Sequence, residues 1–283
     1  MDGDFRGQCR GNLPRLSPVY TPHKWPLDRL LQLLSALMLC LATGMIVHHL
    51  VLFGGMIDTV EGRLLATIIH VAFFNVGGFL CVGWLLTLEK ISWAEGFGLK
   101  QGPCRAICLG LTTAVLVTPV VMLLQGLMAK LLTVQGAAPK VQEMVKVIKS
   151  TVNFDQQLFY GVVAIILAPV IEELFFRGIL YPAIKSRGYP KAALFGTSLL
   201  FALVHSNMLT FIPLTVLALV LIGLYEWTGN LLAPILLHSG FNAINFCLLL
   251  YREEFMLWLK SVLFNFYLLS YREEFMLWLK SVL

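Results

Sequence analysis

Charged side chains are scarce in this chain. Asp, Glu, Lys and Arg make up 13% of its 283 residues, where a soluble domain carries about a quarter. Hydrophobic residues reach 58%, so a soluble globular protein is excluded before any segment is considered. Cysteine is also sparse and never forms a CxxC pair: Cys9, Cys40, Cys81, Cys104, Cys108 and Cys247 stand apart, most of them in apolar runs. That pattern argues against a disulfide framework and a thiolate metal site. There is no HExxH, the two-histidine helix signature of zinc proteases. A Gly-x-Ser-Gly serine motif is absent too; its nearest match, Leu237–Gly240, begins with leucine. The net charge of +5 comes without a basic stripe or interleaved aromatics, so no nucleic-acid partner is expected. In a membrane protein such an excess belongs to loops beside anionic lipid.

What the chain has is long apolar runs. They lie at about 30–53, 64–88, 105–133, 157–184, 190–207, 209–227 and 230–250. Each is near the ~20 residues that a helix needs to cross a bilayer. The expected fold is an all-α, polytopic membrane helical bundle of about seven or eight transmembrane helices. Residues 1–29 read as a polar tail, too long a lead for a signal peptide. Residues 30–133 read as N-terminal transmembrane helices, and 157–250 as the core that carries the chemistry. The intervening 134–156 contains Val141, Met144, Val145, Ile148 and Val152 at helical spacing, with lysines opposite. This fits a helix lying on the membrane surface, or an ordinary connecting helix packed on the bundle. The five basic residues of the tail favour a cytosolic N-terminus, although the basic 130–149 loop then falls outside.

Residues 251–283 contain a tandem duplication. At a period of 20, residues 245–263 match 265–283 except at Cys247/Tyr267 and Leu250/Ser270. Two copies are too few for a solenoid; one could supply an eighth span at about 255–271. No chemistry is assigned to it.

Three segments place polar groups inside apolar spans, where they are costly and usually serve a site. In Pro169–Gly178, Glu173 and Arg177 are four apart and can pair along one helix face. Glu172 is rotated about 100° from Glu173 and has Phe176 at its i+4 position. One carboxylate is thus held by the arginine and the other is left to act. Pro169, lacking an N–H, can open the helix nearby. A purely structural ion pair explains Glu173 and Arg177 but not Glu172. In Phe201–Asn207, Phe201 and His205 share a face. In His238–Ala243, His238 and Asn242 do the same, and interhelical hydrogen bonding is the plainer use of that pair. His48, His49 and His70 lack such companions and read as structural. Glu172, His205, His238 and Asn242, supported by Glu173, Arg177 and Phe201, supply what peptide hydrolysis needs. A carboxylate activates water, imidazole and amide donors meet the oxyanion, and a protonated group serves the leaving amine.

These residues resemble the intramembrane endopeptidases that include the type II CAAX prenyl protease and the bacterial Abi, or bacteriocin-immunity, proteins (the CPBP family). The family pattern is Glu-Glu-x-x-x-Arg, then Phe-x-x-x-His, then His-x-x-x-Asn/Asp. Here it reads Glu172-Glu173-Leu174-Phe175-Phe176-Arg177, Phe201 to His205, and His238 to Asn242. The resemblance covers about 155–250. It implies an enzyme in which Glu172 activates water with His205 beside it, while His238 and Asn242 stabilise the oxyanion. It also implies a peptide or protein substrate in contact with membrane lipid: a lipidated peptide, a leader peptide or a membrane segment. A bacterial cytoplasmic membrane is the expected location. No cofactor is favoured. Glu172, His205 and His238 could instead hold zinc, but Glu173 would then have to be the base despite its arginine. The rival readings are a non-catalytic immunity or scaffold protein of the same fold and a proton-coupled transporter. The latter should show polar groups in both halves.

Overall fold

The computed structural model describes residues 23–52, 59–136 and 153–251, with Val145, Ile148 and Ser261. Every regular element among them is a helix. Helix α1 (Leu27–Leu52) is followed by a composite rod in which α2 (Val60–His70) passes through a π-helical stretch, Val71–Val76, into α3 (Gly77–Glu89). A short α4 (Trp93–Gly96) leads to α5 (Pro103–Val134). A second composite rod follows: α6 (Phe154–Val162), a π turn at Val163–Leu167, α7 (Ala168–Glu173), a π turn at Leu174–Leu180, and α8 (Tyr181–Lys185). Helices α9 (Pro190–Val204), α10 (Met208–Thr228) and α11 (Leu232–Leu250) complete the bundle.

Six of these segments are long and apolar enough to cross a membrane, and α9 is a shorter apolar helix. The seven spans expected from hydropathy therefore correspond to seven helical segments. The tail boundary shifts slightly, because α1 begins at Leu27. The segment expected at 190–207 stops at Val204, where Ser206 takes a left-handed φ of 49° and turns the chain. The proposed surface helix falls outside the described residues except at Val145 and Ile148, and the duplicated C-terminus and its eighth span lie outside them almost entirely. The bundle is apolar on its outside. Leu39, Met45, Leu50, Val115, Leu116 and Leu123 are all exposed, as lipid contact allows, while Glu173 and Arg177 are fully buried.

The two π turns of the second rod share one cause. Each is followed by a proline in the second position of the next α segment, Pro169 and Pro182. Proline has no N–H and breaks the i→i−4 ladder. At the first turn, the Ala168 amide reaches back to Val163. The Ala164 carbonyl would take the next amide in this register, but that residue is Pro169. Asn242 of α11 fills the gap, its Nδ2 donating to the Ala164 carbonyl at 2.8 Å. At the second turn, Tyr181 donates to Phe176, and the residue four on from Gly178 is Pro182. There the indole N–H of Trp25 donates to the Gly178 carbonyl at 2.9 Å. Beside each proline a main-chain carbonyl thus receives a side chain from a distant part of the sequence, at Ala164 the one that Pro169 leaves without an amide.

Helix α11 is held on its other side by close backbone approach to α5. A Cβ on Gly110 would come within 2.7 Å of the Ala233 carbonyl oxygen, and one on Gly240 within 2.8 Å of the Ala114 side chain. Small residues at this interface let the helices touch where lipid offers no hydrophobic drive for association. The N-terminus of α11 is anchored by Asn230, which is fully buried. Its Nδ2 donates to the Leu99 and Gln101 carbonyls at 3.1 and 2.9 Å, and its Oδ1 accepts from the Leu232 amide. The rotation of α11, and so the direction of His238, is fixed at three points.

Two substitutions test this arrangement. Trp25→Phe and Asn242→Leu each leave a buried carbonyl without its donor, and each should lower stability by ~1–3 kcal/mol, seen as earlier thermal unfolding in detergent. In a Pro169→Ala background the Asn242→Leu loss should shrink, because the restored backbone amide serves the Ala164 carbonyl itself. An unchanged loss would refute the proline account.

Candidate active site

Glu173 and Arg177 lie one turn apart across the junction of α7 and the second π turn. The Arg177 Nη1 donates to Glu173 Oε1 at 2.8 Å, with side chains 1% and 0% exposed. The guanidinium also approaches the Ala218 carbonyl of α10, 3.4 Å from Nη2. It lies over the Phe201 ring of α9, 4.5 Å from its centroid. A planar cation that presents its edge to acceptors and its face to an aromatic ring is the use to which arginine is suited.

The same carboxylate oxygen receives a second partner. His238 Nδ1 lies 2.8 Å from Glu173 Oε1, and the imidazole is buried. An ionised carboxylate can only accept, so this contact places the proton on Nδ1 and turns Nε2 the other way. There Nε2 stands 3.9 Å from Glu172 Oε2, too far for a direct hydrogen bond. Glu172 Oε2 is buried and has no hydrogen-bond partner. The result is two adjacent carboxylates in different settings: Glu173 is held through Oε1 by an arginine and a histidine, with Oε2 unpartnered, while Glu172 Oε2 is unpartnered and faces that histidine's other nitrogen.

Phe201 organises the rest. Its ring packs against Phe176, His205 and His238, with centroids 5.1, 5.0 and 5.7 Å away. His205 caps the end of α9, and its Nδ1 donates to the Phe201 carbonyl at 2.8 Å. Glu172, Glu173, Arg177 and His238 thus converge directly, and His205 joins them through Phe201. Asn242 is on the same helix as His238 and one turn on, but one of its amide hydrogens is committed to Ala164.

Sequence spacing pairs Glu173 with Arg177 but does not reveal the contact from His238. It also misses Asn230 and Trp25. Asn230 follows the helix-ending Gly229 in a form that resembles a loop residue, and Trp25 stands in a stretch read as tail. The three histidines read as unaccompanied are brought together: His48, His49 and His70 line one cavity of about 440 Å³ between α1 and the α2 rod.

The donors fit zinc poorly as they stand. Among the described residues no three of His, Cys, Asp and Glu are grouped as an ion would need.

Comparison with known proteins agrees with this geometry. Residues 154–244 match the family described as type II CAAX prenyl endopeptidase Rce1-like. The chain is similar to the uncharacterized protein YpbD of Bacillus subtilis (strain 168), with 36% identity over 86 residues. That alignment covers 29% of this chain and 41% of the relative, so the chain matches less than half of that protein's length. No solved structure matches. The stretch that supplies Glu172, Glu173, Arg177, Phe201, His205, His238 and Asn242 is therefore a domain of the Rce1-like, type II CAAX prenyl endopeptidase kind.

Proposed function

We propose that this protein is an intramembrane endopeptidase that cleaves a membrane-associated or lipidated peptide by glutamate-activated water. The observation that carries the reading is the asymmetry of the carboxylate pair. Glu173 is held by Arg177 and His238 through Oε1 alone, its Oε2 having no partner, whereas the buried Oε2 of Glu172 has no hydrogen-bond partner and stands 3.9 Å from His238 Nε2. A water placed ~2.8 Å from each atom fits beside such a gap.

In the proposed reaction, Glu172 takes a proton as the water oxygen bonds to the scissile carbonyl carbon. The carbonyl oxygen becomes an oxyanion. His238, once Nε2 has taken a second proton from solvent, meets it by donating from Nε2, and the Glu173 carboxylate behind Nδ1 balances the charge of the imidazolium. Asn242 has a second amide hydrogen for the same oxygen, since its Nδ2 carries two. The tetrahedral species collapses as the C–N bond breaks, and Glu172 returns its proton to the leaving amine. The products are a carboxylate and an amine. His205, with Nδ1 donating to a backbone carbonyl, presents Nε2 as a proton acceptor near this path. The scheme needs no metal, and every step is assigned to a residue of this chain.

Glu172→Gln should reduce peptide cleavage by about 10²–10⁴-fold with little change in thermal unfolding, since the oxygen it alters has no partner. Glu173→Gln should behave oppositely at the level of folding. It leaves Arg177 buried without its counter-charge, a loss of about 3–5 kcal/mol. Mass spectrometry of membrane peptides from cells carrying each variant, with unfolding of the purified proteins, reads both. Unchanged peptide lengths with Glu172→Gln would reject the protease reading and leave a scaffold. A separate check is elemental analysis: purified protein should hold far less than one zinc per chain and keep its activity in chelator.

A further inference from the structure

The polar groups of the candidate site all come from the C-terminal half, yet the N-terminal half also buries one carboxamide. Asn75 lies in the π stretch between α2 and α3 and is 4% exposed. Its Oδ1 is buried and has no hydrogen-bond partner. It begins a buried stripe that continues through Gly78, Val82, Leu85 and Leu86, spaced as one face of a helix. That face looks at the second composite rod: a Cβ on Gly78 would come within 3.2 Å of Ile171 and 3.1 Å of Phe175. The opposite face looks elsewhere, since Gly77 abuts Cys40 of α1. The rods run parallel here, because Leu86 meets Gly96, further along the chain, at the end where Phe97 abuts Gly178. One turn back from Gly78 is Asn75, and one turn back from Phe175 is Glu172.

We propose that Asn75 is a positioning residue of the active site, supplying the second acceptor for the water that Glu172 activates. This rests on the role given to Glu172 above. Asn75 Oδ1 and the Oε2 atoms of Glu172 and Glu173 are buried acceptors without partners; of the two carboxylates, Glu173 is already held through Oε1 by Arg177 and His238. Two acceptors at one level are satisfied together only by a molecule that donates twice, and water does so. Held by both hydrogens, the water turns its lone pairs away from the two acceptors and toward a bound carbonyl carbon. The attack then transfers one hydrogen to Glu172 while Asn75 keeps the other in place. The ionisable groups around Glu172 are His238 from α11 and Glu173 and Arg177 from its own rod. Asn75 contributes a dipole without adding charge.

The test requires no substrate. Dicyclohexylcarbodiimide enters apolar sites and labels protonated carboxyl groups, so its labelling of Glu172, followed by mass spectrometry across pH, titrates that residue. Asn75→Leu keeps the shape of asparagine but cannot hold water. Asn75→Ser keeps a hydrogen-bonding group but leaves space. Loss of the water disfavours the carboxylate, so Asn75→Leu should move the labelling midpoint up by about one pH unit, while Asn75→Ser stays near the unsubstituted protein. A mere packing role gives the reverse order or no shift, and either result overturns the proposal. The second measurement is a thermal cycle in detergent: the change in unfolding midpoint caused by Asn75→Leu should differ between the unsubstituted and Glu172→Gln proteins. Additive changes also overturn it. Since neither readout involves cleavage, loss of this proposal leaves the protease reading standing, and loss of activity in Glu172→Gln bears on that reading alone.

Discussion

One carboxylate oxygen, Glu173 Oε1, lies 2.8 Å from both an arginine nitrogen and a histidine nitrogen in the dry centre of the bundle. The arginine is held in turn by Phe201 of α9 and approaches the Ala218 carbonyl of α10, and the histidine belongs to α11. Four segments therefore meet at a single anion. A charge so placed tolerates little displacement, because removing either partner leaves an uncompensated ion in a low-dielectric interior. Its effect on the chemistry is indirect. By fixing the proton of His238 on Nδ1, it decides which nitrogen faces Glu172. In this way Glu173 sets the state of the imidazole that stands beside Glu172.

The frame that delivers these side chains rests on interruptions in regular helix. A straight α-helical rod from Phe154 to Lys185 would satisfy its own backbone and offer nothing to its neighbours. Pro169 and Pro182 prevent this. The Ala164 carbonyl that Pro169 leaves without an amide, and the Gly178 carbonyl of the second π turn, are receptors for Asn242 and Trp25. In lipid, where apolar contact gives helices little reason to associate, such directional bonds determine which helix lies against which, and at what rotation. The Phe154–Lys185 rod is thus tied to α11 at one turn and to the segment before α1 at the other.

The spans were legible because membrane thickness imposes a length on any apolar helix that crosses it. The Glu173–Arg177 pair was legible because i,i+4 contacts lie within one helix. What lay between helices was not. The Glu173–His238 contact joins residues 65 apart in sequence, and its existence depends on the rotation of α11, which Gly110, Asn230 and Asn242 jointly set. Pro169 announced a break in the helix, but the shift to a wider register, and the carbonyl it would release, required knowing what stood opposite. His48, His49 and His70 looked solitary because their meeting depends on how α1 packs against α2, which sequence spacing does not reveal. Asn75 had a faint signal, a lone amide in an apolar run, of the kind that usually earns attention at membrane depth.

Helix α9 has 15 residues, a length of about 22 Å against the ~30 Å of a hydrocarbon core. It ends at His205, and the chain turns back through Ser206 beside the exposed Leu203, Val204 and Met208. A bilayer meets so short an element by thinning or by letting headgroups sink beside it. The hydrocarbon beside the His205 imidazole is therefore shallower than beside the longer apolar helices among the described residues.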